Sequence, residues 1–321
     1  MPVRLRPRLE VCLQVLRRRG YEVVVGSCMD GEALVSAPAG QRAHELMEML
    51  TDPTVKAVIP PWGGELAVEV LPHLDFDELA RAAPTWLIGY SDIRTLLLPL
   101  TTRTATATLH GQNLMDTPYR VPSPLMSWPE VVSAPVGSVL TQGQSQSHWG
   151  SGHDDWETDP AASEYTLDTP GGWRPLDPSA GQFEVSGRLI GGCIETVSIL
   201  AGTAYGDLAG FVQEHAPEGL LVYVEASEDG AVDIARHLWR MRLAGWFDAA
   251  NAVLVGRTSA PYVPGFTQED AVRSALAGLD VPVVLDVDCG HVPPHLALVN
   301  GALGHLTLNG RGATLTQRLV E

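Results

Sequence analysis

The apolar run Trp86-Leu87-Ile88 meets Gly89, passes through Tyr90-Ser91-Asp92, and gives way to Ile93, Leu96 and Leu97 at helical spacing. A short buried strand that breaks sharply into a helix confines its turn to the rim of a sheet. The first helical N–H groups then point at whatever binds there. Ser91 sits at this turn with its hydroxyl beside backbone donors, the placement a serine nucleophile requires. The usual elbow reads Gly-x-Ser-x-Gly, and here Ile93 stands in for the second glycine. A helix cap at Ser91 or Asp92 is the simpler reading of the segment alone, and the nucleophile is its alternative.

The surrounding sequence alternates helix and strand. Leu9, Cys12, Leu13 and Leu16 share a helical face, Gly20 stops that helix, and residues 21–25 read as a strand. A helix follows over about 41–50, then a strand at 57–59, the glycine turn Pro61-Trp62-Gly63-Gly64-Glu65, and a strand at 105–109. Helices interleaved with short apolar runs imply a parallel sheet covered on both faces, whose sites lie beyond the carboxyl ends of the strands. Gly64, Ser91 and His110 all fall at such ends.

Residues 122–180 lack periodicity and are rich in Gly, Pro and Asp, as in a loop or linker. Their aromatics (Trp149, Trp156, Tyr165, Trp173) anchor such a loop on the body or line a pocket for a planar ligand, the anchoring role being the more economical. Order returns with a helix over 194–201, strand 220–225 ending in Glu225, helix 234–243, strand 252–255, helix 271–279 and strand 282–286. That last strand runs into Cys289-Gly290-His291, and residues 296–319 alternate as β. The expected organisation is an N-terminal domain over 1–120, a linker and aromatic loop over 121–182, and a C-terminal domain over 183–321.

Composition narrows the setting. The 321 residues are 45% hydrophobic, enough for a substantial core and two domains. The chain carries 21 Lys plus Arg against 38 Asp plus Glu, a net charge of −17, which argues against a nucleic-acid polymer as partner. No stretch approaches the roughly 20 apolar residues of a membrane span, and the charged N-terminus lacks the apolar core of a signal peptide. Cys12, Cys28, Cys193 and Cys289 are scattered, with no zinc spacing, and read as free thiols of a cytoplasmic protein.

Three chemically able residues stand at three strand ends: Ser91, Glu225 and His291. A serine nucleophile needs a base, and a histidine base needs an acid to fix its tautomer. His44 and His237 fall in helical patterns and His148 and His153 in the polar loop, whereas His291 follows a glycine after a buried strand. By itself His291 reads as a hydrogen-bonded structural histidine, and Glu225 as an acidic strand end. No metal-ligand spacing, Gly-x-Gly-x-x-Gly or Walker motif is present, so no cofactor or metal is expected.

Taken in order, Gly63-Gly64, Ile88-Gly-Tyr-Ser-Asp-Ile93, Leu109-His-Gly111, Gly187-Arg-Leu-Ile-Gly-Gly192, Val222-Tyr-Val-Glu225 and Gly290-His291 resemble the serine LD-carboxypeptidase family, which includes the microcin C self-immunity carboxypeptidases. The loop from Trp156 to Trp173 and Gly202-Thr-Ala-Tyr-Gly206 resemble the microcin-immunity branch more than the cell-wall-recycling branch. The resemblance implies a flavodoxin-like, parallel-sheet N-terminal domain, a β-rich α/β C-terminal domain, and a site between them. It implies a triad of Ser91, Glu225 and His291, with the backbone N–H groups of Gly64 and Asp92 as oxyanion hole. The implied reaction is hydrolysis of an amide next to a free carboxylate, in an aminoacyl-nucleotide-like antibiotic or in a murein tetrapeptide; ligand sequestration in an idle crevice is the non-enzymatic alternative. Trp156 or Trp173 would stack on the base of a nucleotide-like substrate. The partner is then a small peptide-like or aminoacyl-nucleotide molecule, with no metal and no membrane, in a homodimer. Two departures stand out. The family opens with a strand before the first helix, whereas this sequence begins almost at that helix. Either its first residue lies downstream of the true start, or the sheet lacks a central strand and apolar surface would be exposed. Arg94 replaces a small hydroxyl residue after the elbow, where it binds a substrate carboxylate or, preferably, points to solvent.

Overall fold

The computed structural model describes residues 3–30, 35–150, 156–259, 261–310 and 312–320; His153 lies outside them. Helix α1 (Arg6–Arg18) buries Arg8, Cys12, Leu13 and Leu16, and α2 (Ala39–Thr51) buries Ala43 and Leu50. Between α2, α3 (Phe76–Arg81) and α4 (Arg94–Thr104) run the parallel strands β1 (Ala57–Val58), β2 (Trp86–Gly89) and β3 (Thr108–His110). Residues 21–25 join no ladder, contrary to the strand expected there: Val24 is 75% exposed, and only Val23 of the run's valines packs against the core. β-Branched residues favour strands only where a neighbouring edge accepts them. The strand expected over 105–109 starts later, because Ala105 takes a left-handed conformation (φ 55°) to end α4.

The stretch expected as loop is partly ordered. It holds α5 (Trp128–Val132), β4 (Val139–Gly143), the paired β5 (Ser147–His148) and β6 (Thr169–Pro170), and β7 (Arg174–Pro175). Gln142 hid this strand in the sequence: it is buried, donating to the Ala297 carbonyl and accepting from Met126 N–H.

Strands β8 (Phe183–Cys193), β9 (Leu220–Glu225), β10 (Ala250–Gly256) and β11 (Val283–Val287) run parallel, with α6 (Ile194–Val197), α7 (Leu208–His215), α8 (Ala231–Leu243) and α9 (Gln268–Leu276) in the connections. The helix expected over 194–201 is only α6, continued by a 3₁₀ turn at Ser198–Leu200. β12 (Leu298–Asn300) pairs antiparallel with β3, so the C-terminal part completes a four-stranded sheet β1-β2-β3-β12. β13 (Leu303–Asn309) and β14 (Gly312–Arg318) close an eight-stranded sheet ordered β4-β14-β13-β8-β9-β10-β11-β7. Every residue of β9 is buried, as expected of a central parallel strand covered on both faces.

Candidate active site

Strand β2 ends at Gly89, and Tyr90 enters the elbow in extended conformation with its N–H donating to Asn113 Oδ1 (3.3 Å). Ser91 then adopts φ 62°, a left-handed conformation that costs a non-glycine residue on the order of 1–3 kcal/mol and persists only where surrounding structure imposes it. Asp92 supplies part of that structure. Buried beneath the turn, its Oδ2 accepts from Ala67 N–H at 2.7 Å, and its carboxyl pKa is raised by burial. The bond ties the elbow to the segment that carries the glycine turn. Gly63 packs directly on the serine, so that a methyl there would lie 2.6 Å from Ser91 Cβ and 2.8 Å from Oγ.

Glu225 ends β9 with its side chain fully buried, and its Oε2 lies 2.9 Å from His291 Nδ1. Gly290 makes this approach possible: at φ +100°, a side chain there would collide with the Glu225 carboxylate. Burial pushes the His291 imidazole down, but the Glu225 charge and hydrogen bond outweigh it, so its pKa is raised above the ordinary histidine value. Tyr90 brings the elbow to this pair, its ring meeting His291 edge-on with centroids 5.0 Å apart. Among the described residues no hydrogen bond joins Ser91 Oγ to the imidazole. Unliganded sites commonly hold such contacts long, and they tighten when substrate binds.

Three groups around the crevice were not singled out as site residues in the sequence. Asp116 is buried, accepts from Asn113 N–H, and interacts with Tyr90 and His291; burial drives its carboxyl up to about 6. His295 packs on Tyr90 and is held down to about 4, by burial and then by His291. His110, at the end of β3, is lowered well below the ordinary value by burial and by Arg94. Their contacts with Tyr90 span the elbow and distant strand ends, so no local pattern reveals them.

Arg94 is corrected by the structure. It is fully buried, not at solvent; its Nη2 donates to Asn300 Oδ1 at 3.2 Å, and its guanidinium lies 5.4 Å from the Tyr223 ring centre. Its Nε and Nη1 have no partner among the described residues, and burial lowers its pKa. Asn300 also accepts from Tyr223 Oη (2.6 Å) and donates to Thr108 Oγ1 (2.8 Å), so Arg94 belongs to a buried network joining β3, β9 and β12.

The two candidate stacking tryptophans are likewise held by the body. Trp156 Nε1 donates to Tyr119 Oη at 2.9 Å, and the Arg8 guanidinium stacks over its ring at 5.1 Å. Trp173 is buried, with Nε1 donating to Asp288 Oδ2 at 2.8 Å. Asp288 also accepts from Ser145 N–H and pairs with the buried Arg257 at 2.6 Å, so one carboxylate pins both ends of the aromatic loop to the large sheet. Both rings are thus tied to the body by their indole N–H groups.

The comparisons with known proteins agree with this architecture. Residues 1–111 match the LD-carboxypeptidase N-terminal domain and residues 186–306 the LD-carboxypeptidase C-terminal domain. A putative carboxypeptidase of Vibrio cholerae is 26% identical over 317 residues, spanning 95% of this chain and 89% of that protein. The microcin C7 self-immunity protein MccF of Escherichia coli is 24% identical over 322 residues, spanning 96% of this chain and 88% of that protein. The solved structure of MccF in complex with glutamyl sulfamoyl guanosine superposes with a TM-score of 0.80 at 20% identity, over 99% of this chain and 93% of that one. A muramoyltetrapeptide carboxypeptidase from Oxalobacter formigenes superposes at 0.71, again at 20% identity, over 98% and 95%. No described helix is long and apolar enough to cross a membrane. With its two domains matched at either end, the chain belongs to the LD-carboxypeptidase family of peptidases.

Proposed function

We propose that the chain is a serine carboxypeptidase or amidase whose nucleophile is Ser91, whose base is His291 and whose orienting acid is Glu225. The observation that carries this reading is the buried Glu225–His291 contact of 2.9 Å, against which packs Tyr90, the residue that precedes a serine held at φ 62°. A buried carboxylate on Nδ1 leaves Nε2 unprotonated and available to take the Ser91 proton. The hydroxyl attacks the amide carbonyl, and the oxyanion develops against the N–H groups of Asp92, next to Ser91 in the chain, and of Gly64, next to the glycine that packs on Ser91. Such preorganised donors supply the largest electrostatic share in acyl transfer. The imidazolium then returns its proton to the leaving nitrogen, and water repeats the sequence on the acyl-enzyme.

For the substrate we favour an aminoacyl group joined by an amide to a nucleotide-like moiety, as in microcin-type antibiotics, with a self-immunity or detoxifying role in the cytoplasm. MccF is a relative over nearly the whole chain, and its solved complexes hold glutamyl sulfamoyl guanosine and aspartyl sulfamoyl adenosine. The murein tetrapeptide reading is the second, favoured by a Pseudomonas aeruginosa murein tetrapeptide carboxypeptidase 27% identical over 234 residues.

Mass-spectrometric hydrolysis of aspartyl sulfamoyl adenosine and of a murein tetrapeptide separates the readings. Cleavage of the nucleotide conjugate alone, reduced roughly 10³-fold or more in Ser91→Ala, is expected. Cleavage of the tetrapeptide alone moves the protein to cell-wall recycling. If neither is cut and Ser91→Ala still binds the conjugate, the crevice sequesters and the triad reading fails.

A further inference from the structure

The four cysteines show no zinc spacing in sequence because potential ligands come together from separate strand ends. In the β8–β9 ladder Cys193 stands directly opposite Glu225, and the turn after β11 lowers His291 onto both. One donor atom from each of Cys193, Glu225 and His291 lies within 4.8 Å of the others. A thiol, a carboxylate and an imidazole form the donor mix that zinc-type ions select. Bonds of about 2.0–2.3 Å to a tetrahedral ion require donors about 3.3–3.8 Å apart, so the cluster need contract by only about 1 Å.

A second observation points into the same space. Glu225 Oε2 meets His291, but Oε1 is buried and has no partner among the described residues. A buried carboxylate oxygen without a donor is a standing penalty that a cation would remove. Behind the sulfur, Cys193 Sγ donates to Glu195 Oε2 at 2.8 Å, while Glu195 Oε1 accepts from the N–H groups of Ser227, Glu228 and Asp229. A carboxylate fixed behind a ligand orients that ligand. The His291 side chain, 20% exposed, marks the side from which an ion enters. Arg94 opposes a cation in this region, being buried with Glu225 and Cys193 among its charged neighbours. That opposition fits a reversible ion and not a permanent one.

We propose that Cys193, Glu225 and His291 form an inhibitory site for a thiophilic divalent cation of the zinc class. On binding, the thiol proton leaves to solvent and the Sγ–metal bond forms, with no change of oxidation state. An ion on Nδ1 moves the imidazole proton to Nε2; an ion on Nε2 takes up that lone pair itself. Either way His291 has no lone pair left for Ser91. The inhibitory half of this proposal rests on the triad reading above, and the binding half does not.

Cobalt titration tests the binding half without any substrate. Wild-type protein is expected to develop a thiolate-to-cobalt charge-transfer band that zinc abolishes, with Cys193→Ser lacking the band and Cys28→Ser retaining it. Zinc affinity is expected to fall at least about tenfold in Cys193→Ser, and hydrolysis by that variant to become insensitive to zinc. Absence of the band in the wild type, or its survival in Cys193→Ser, overturns the site. A Cys193-dependent band with hydrolysis untouched by zinc overturns the inhibition. The same band in a protein that cuts neither substrate, while Ser91→Ala still binds the conjugate, upholds the site and refutes the triad.

Discussion

His291 stands between burial, which disfavours its cation, and Glu225, which stabilises it, and the carboxylate prevails. Only the neutral ring accepts the Ser91 proton, so kcat/KM should rise with pH and level off above the ordinary histidine value of about 6.5. Glu225→Gln removes the charge that lifts this pKa and leaves burial to lower it. Its acid limb should therefore move to lower pH, while its plateau falls by about 10⁴-fold through loss of the correct tautomer. A pH–rate series on both proteins decides: a limb that stays in place shows that Glu225 does not govern the base. Ser91, Glu225 and His291 stood out as candidates because each lies at or just beyond the end of an apolar run. Local pattern alone favoured a cap, an acidic strand end and a structural histidine, and only the family resemblance joined them. The burial of Arg94 was not legible, because a charged residue early in a helix usually faces solvent. Only the assembled sheet shows that Asn300 and Tyr223 close over it.

The elbow depends on close backbone approach as much as on Ser91 itself. Gly63 leaves no room for a side chain, since a methyl there would meet Ser91 Cβ at 2.6 Å and Asp92 N at 3.1 Å. Gly63→Ala should displace the serine and its oxyanion amide by a fraction of an ångström, which is enough to lower kcat by about 10²-fold. The melting temperature should change little, because Gly63 itself contributes no side chain to the hydrophobic cluster against which its neighbour Trp62 packs. Full activity in Gly63→Ala would show that the turn does not position the nucleophile. The glycine turn and the strand-to-helix break were both readable, since Gly-Gly and an apolar run with a helical sequel are local signals. The β4 strand and the failure of residues 21–25 to pair were not readable, because strand pairing is decided by distant partners: Thr314–Arg318 for the first, none for the second.

Across the whole molecule, the crevice gathers buried titratable groups whose effects on stability oppose one another. His295 titrates at about 4 in the native state, against about 6.5 unfolded, so its contribution is lost as pH falls through that interval, by about 3 kcal/mol. His110, lowered well below the ordinary value by burial and by Arg94, acts in the same direction. Asp116 works the other way. Its carboxyl titrates at about 6 in the native state against an ordinary 3.8, so the native state takes up the proton first and gains about 3 kcal/mol as pH falls from 6 to 3.8. His291, with a raised pKa, contributes fully below about 6.5 and loses that contribution only as pH rises through its native value. Asp116 thus offsets the buried histidines between pH 6.5 and 4, while Arg8, His291 and its bond to Tyr90 restrain how far its pKa climbs. Asp116→Asn keeps an acceptor for Asn113 N–H but cannot take up the proton. The variant should match or exceed the wild type in stability at pH 7, where the buried carboxylate is ionised, and its stability relative to wild type should drop by about 2 kcal/mol between pH 7 and pH 4. Urea denaturation of both proteins at pH 7, 6, 5 and 4 measures the difference, and parallel stability curves would show that Asp116 is not the group that buffers the fold against acid.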